Sequence, residues 1–127
     1  MTKSEAVIRT ILGPTRRSVT ALACAVDQVI ELLFVKKIPM SQIQVNQDVY
    51  PAVAEQLGQR PQSVARQVER IANCCWETGD SASLARVIGR ALPEKQGPKE
   101  MLFYLAFYVH LDTPFYQVVE QSPELLF

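Results

Sequence analysis

The side chains best equipped for specific chemistry in this sequence are Gln62, Ser63, Arg66, Gln67 and Arg70. An arginine fork bonds two acceptors at once, and amide or hydroxyl groups beside it reach the edges of bases, so the set suits nucleic-acid recognition. Other chemistry is poorly provided for. His110, the only histidine, lies between Val109 and Leu111 on an apolar stretch and reads as a packing histidine. No nucleophile–base pair, glycine-rich phosphate loop or usefully spaced carboxylate pair is present, so neither an enzymatic activity nor a cofactor is expected. Cys74 and Cys75 are adjacent, which on a helix turns them about 100° apart. Together with Cys24 and His110 they would be the only zinc set, and the spacing fits neither a finger nor a ribbon, so no metal is expected.

Two helices must position the 62–70 group. Val49, Val53, Ala54 and Leu57 recur at spacings of three and four, which makes one apolar stripe on a short helix. Gly58 is a natural stop, because glycine enters the left-handed region without a Cβ penalty. Pro61 suits the first turn of the next helix, where its missing N–H would be unpaired anyway. Val64, Val68, Ile71 and Cys75 then form a core-facing stripe, opposite Gln62, Arg66, Glu69, Arg70, Asn73 and Glu77. The spacing predicts a helix-turn-helix over about residues 47–78, with its second helix placing Gln62, Ser63, Arg66 and Gln67 in a major groove. An ordinary amphipathic helical hairpin would carry the same stripes.

Along the rest of the chain, Ser4 is expected to cap a short helix to about Ile11, which Gly13-Pro14 ends. Thr15 is expected to cap the longest helix, running to about Val35 with Leu22, Val26, Ile30 and Leu33 on its apolar stripe. Arg16 and Arg17 would then lie in its first turn. That placement opposes the helix dipole unless an anion lies near, so they read as phosphate contacts or else as solvated arginines. A brief helix over Leu84, Val87 and Ile88 follows an Asp80 or Ser81 cap and stops at Gly89. Pro98 to about Leu111 is a helix apolar nearly all round, either buried or shared with a partner. Thr113-Pro114 starts a last amphipathic piece, and the tail 122–127 reads as loose or used in association. The expected architecture is all-α, a compact multi-helix single domain over 1–127, with a core over about 8–112 and a C-terminal extension over 113–127. Leu22, Val26, Leu57, Val64, Val68 and Ile71 should share one core, with Trp76 substantially buried.

Lysine plus arginine equals aspartate plus glutamate at 13 each, so no overall basic field announces nucleic acid, although a local patch is compatible with that balance. Three cysteines and no apolar export segment at the N-terminus point to reduced thiols and a cytoplasmic location. The longest apolar run, about eleven residues at 101–111, is too short for the ~20 that span a bilayer, so no membrane association is expected.

Tyr50-Pro51, Ala54, Val64, Arg66, Val68 and then Trp76 with Gly79 resemble the C-terminal DNA-binding effector domain of the sporulation response regulator A of spore-forming Firmicutes. The resemblance extends over about residues 8–112, through Gly13-Pro14 and through Pro98 with Phe103. It implies a transcription regulator that binds double-stranded DNA, with Arg66 at the position of a guanine-reading arginine. It also implies an effector domain present here without its receiver, hence without a phospho-aspartate switch. Departures lie on the reading surface. Ala65 replaces the family's glutamate before Arg66, Glu69 stands where the family has its next arginine, and Pro98-Lys99-Glu100-Met101 replaces a polar Pro-Thr-Asn-Ser. A different operator or a loss of DNA binding would both account for them. The alternative function is a protein-interaction module on the same scaffold, forming a homodimer or a heteromer with another regulator through helix 101–111 and Phe115, Tyr116, Val118 and Val119.

Overall fold

The computed structural model describes all 127 residues, and it is all-α, with no strand. Seven helices occur in order: α1 (Lys3–Leu12), α2 (Thr20–Ile30), α3 (Tyr50–Leu57), α4 (Pro61–Thr78), α5 (Ser81–Ile88), α6 (Pro98–Leu111) and α7 (Phe115–Gln121). Helix α2 continues as a wider π-helical turn over Glu31–Val35, so one helical rod reaches Val35. A second such turn, Val45–Val49, leads directly into α3, its start held by the Asp48 carboxylate accepting from Gln44 N–H at 2.8 Å. No helix is long and apolar enough to cross a membrane.

The core is one cluster of buried apolar residues in which α6 is central. Met101 through Phe107 are all buried, against α2 on one side and α1, α4, α5 and α7 on others. Of the alternatives left by its all-round apolar sequence, this helix is buried within its own chain, and residues 101–107 are not a surface offered to a partner. Phe115 and Val118 of α7 are likewise turned into the core. Leu22, Val26, Val64, Val68 and Ile71 share that core as expected, while Leu57 is half-buried at its edge.

Several expected ends are corrected. Thr2, not Ser4, caps α1 by accepting from Glu5 N–H at 3.2 Å. Ser4 is buried inside the helix and donates its hydroxyl to the Asp27 carboxylate of α2, because a buried hydroxyl needs a partner. Thr15 does not begin α2. Its hydroxyl turns back to accept from Arg17 N–H at 3.1 Å, so residues 15–19 form a bend and the helix starts at Thr20 behind Val19, without a side-chain cap. Asp80 does cap α5, accepting from Ser83 N–H at 2.9 Å. The tail is docked rather than loose: Pro123–Leu125 make a single 3₁₀ turn, and Leu126 C=O accepts from Ser41 N–H at 2.9 Å.

Two glycines govern how α4 is held, for different reasons. Gly58 ends α3 with φ 64° and ψ 37°, the left-handed geometry the α3–α4 turn needs, in open space. Gly79 has φ −72°, available to any residue. Its constraint is proximity, since a Cβ there would lie 2.3 Å from the Cys75 carbonyl oxygen and 2.9 Å from a methyl of Ile11. The absence of a side chain lets Asp80 N–H reach Ile11 C=O at 2.7 Å and ties the exit of α4 to α1.

Candidate nucleic-acid interface

Helix α4 buries Val64, Val68, Ile71, Ala72 and Cys75, which fixes the opposite face toward solvent. Gln62, Arg66, Glu69 and Arg70 are exposed on that face; Ser63 and Gln67 are half-buried on its flank. The N-terminal half therefore packs Val64 and Val68 into the core and turns its other side to solvent, with α3 joined to it through the Gly58 turn.

Arg66 makes no ion pair. The molecule has only two, Lys3 with Asp112 at 2.7 Å and Lys95 with Glu77 at 3.0 Å, so Arg66 and Glu69, three positions apart on one face, do not pair. The Glu69 charge instead acts on the Tyr50 phenol of α3, raised first by burial and second by that carboxylate. Arg66 and Arg70 are thus both exposed without an acidic partner.

Arg17 reaches this surface from the 13–19 connection. It lies outside the helical first turn assigned to it from the sequence, because α2 begins later. One of its guanidinium N–H groups donates to the Cys74 sulfur at 2.8 Å, a contact spanning 57 positions of sequence. A guanidinium has five donors, so the others stay available. Arg17, Ser18, Gln67, Arg70 and Ile71 line one open cleft of about 670 Å³. The structure brings Arg17, Gln67 and Arg70 together, with Arg66 and Gln62 farther round α4. Arg16 is exposed but does not line that cleft.

Two further residues beside this face escape a reading by periodicity. Gln59, in the turn, accepts from the Gln67 side-chain amide at 2.6 Å and so fixes that amide's orientation. Arg60, also exposed, occupies the N-cap of α4, where no side chain caps the helix. A basic residue preceding an uncapped helix start is the only sequence signal either one offers.

The residues considered for other chemistry are not assembled for it. His110 is exposed, not enclosed: its ring stacks on Phe34 with centroids 4.3 Å apart and 18° between planes. The last turn of α6 leaves the core there. No group of three or more His, Cys, Asp or Glu side chains converges as a metal set.

No curated protein and no solved structure matches the chain. Residues 25–108, from within α2 to within α6 and more than half of the chain, match the family described as sporulation initiation factor Spo0A C terminal. The chain therefore belongs to that family of DNA-binding effector domains of sporulation regulators.

Proposed function

We propose that this protein regulates transcription by binding double-stranded DNA, with α4 as the helix that enters the major groove. The observation that carries this reading is the unpartnered outward face of α4. Arg66 and Arg70 point away from the core, and neither forms an ion pair with a carboxylate of the chain. Arg66, with Gln62 and Ser63, sits where base edges would be met. Arg17 and Arg70, which share the cleft with Gln67, suit a phosphate of the adjoining backbone, and Arg16 adds a further positive charge beside it.

The interaction-module reading is weaker, because the apolar helix it would use is consumed by the protein's own core. A salt series decides between them. Titrating duplexes selected from random sequence should give log K falling linearly with log salt, with a slope of about −0.9 per phosphate neutralised. A slope near zero would leave only the interaction reading.

A further inference from the structure

At the other end of α4, a second cleft of about 330 Å³ opens between α4, α5 and the connection 89–97. Trp76, Leu84, Ile88 and Leu92 give it an apolar lining, and Arg90 and Lys95 add two cations. We propose that this cleft binds a small organic anion with a flat apolar body.

Three observations select that chemistry. The volume lies at the small-molecule end of ligand cavities. The Trp76 indole N–H is enclosed and is the one buried side-chain polar atom with no protein acceptor; buried donors are nearly always satisfied, so an acceptor is wanted beside this ring. The Arg90 guanidinium carbon lies 3.6 Å from the Tyr116 ring centroid and Arg90 has no carboxylate partner, so the ring positions the cation while its charge stays unpaired. Lys95 is the less available cation, since Glu77 already takes it at 3.0 Å, and Glu94 on the rim limits how much negative charge is accepted. One anionic group against Arg90, with an apolar ring against Trp76 and Leu84, matches that balance.

Trp76 is the only tryptophan, so its emission and its single indole N–H resonance both report on this cleft. The full chain is titrated with phenyl phosphate and with benzoate, without DNA, so the outcome is independent of the DNA-binding reading. A saturable change in emission with a downfield shift of the indole resonance is expected for at least one of them. Inorganic phosphate, which lacks the ring, and benzyl alcohol, which lacks the charge, should bind at least tenfold more weakly. Arg90→Ala should weaken the anion at least tenfold, and Trp76→Phe, followed by calorimetry, at least threefold. No saturation with either anion overturns the proposal, as does binding that Arg90→Ala leaves unchanged.

Discussion

Helices α4 and α6 are the two that most shape this molecule, and they use their surfaces in opposite ways. Helix α6 buries every residue from Met101 to Phe107. Helix α4 buries a single stripe and turns Gln62, Arg66, Glu69 and Arg70 outward. A helix enclosed on all sides has its contacts satisfied by its own chain and can offer little elsewhere. A helix whose charged face meets no internal partner leaves that face open to solvent or to an external partner. Stability should therefore be concentrated in α6 and recognition in the outer face of α4, and substitutions can pull the two apart.

The largest effect is expected at Phe107, which is fully enclosed and packs edge-on to Phe34 at 5.7 Å and against Phe115 at 4.9 Å. Phe107→Ala should cost about 3–5 kcal/mol in urea unfolding, the range for emptying an aromatic site in a packed core. A loss below about 1 kcal/mol would mean that α6 is not the centre of the core.

The inner stripe of α4 should behave like α6, and alkaline pH tests this without disturbing the packing. Burial pushes the Cys75 thiol up to about 12 from its ordinary 9.0. Between those values the unfolded chain releases the proton and the folded one keeps it, so stability falls as pH rises. The slope from this group is at most ~1.4 kcal/mol per pH unit. Unfolding midpoints measured from pH 8 to 11 should drop, and Cys75→Ala should flatten part of the decline.

The two glycines bracketing α4 differ in a graded way. Gly79→Ala forces a Cβ against the Cys75 carbonyl and Ile11 and should destabilise by about 1–3 kcal/mol, as overpacking does. Gly58→Ala meets nothing and bears only the left-handed backbone penalty, about 1 kcal/mol. Equal losses in thermal unfolding would remove the contrast between crowding and conformation.

For the outer face, Arg66→Ala should leave stability unchanged, since alanine is a good helix former at an exposed position. On the preferred duplex it should cost about 1–3 kcal/mol, with much less lost on scrambled DNA. Equal loss on both would make Arg66 a phosphate contact, and no loss on either would remove it from the site.

Legibility from sequence follows the same division. The stripes of α3 and α4, the Gly58 stop and the Asp80 cap are local, so period and turn chemistry reveal them. What escapes is either a choice between equally good local options or a contact between distant residues. Thr15 and Val19 compete to begin α2, and Thr15 closes a two-residue turn onto Arg17 instead. Ser4 could cap, yet Asp27 claims its hydroxyl across the α1–α2 contact. The Arg17–Cys74 contact joins positions far apart in sequence and has no local signal, although it is what carries Arg17 to the α4 surface. Arg66 and Glu69 have ideal spacing for a pair, but exposed pairs gain so little that side-chain freedom outweighs them.

The smallest expected effect belongs to Glu69, and it probes whether the outer face acts as an electrostatic surface. Glu69 is exposed on the same side of α4 as Arg66 and Arg70, yet it pairs with neither, so it does not hold Arg66 back from a ligand. On the proposed reading, its remaining influence is the field it would add near the phosphates of a duplex on this face, screened over a Debye length of about 8 Å at physiological salt. Glu69→Arg replaces a repulsive charge with an attractive one, so affinity should rise by about 0.5–1 kcal/mol, the scale of exposed charge interactions. The gain should be alike on preferred and scrambled duplexes, because a phosphate interaction carries no sequence information. It should also steepen the salt slope by up to about one and shrink as salt is raised. Titrations of both duplexes at two salt concentrations measure all three quantities. A gain confined to the preferred duplex would place residue 69 among the base readers, and no gain at low salt would place it outside the DNA-facing surface.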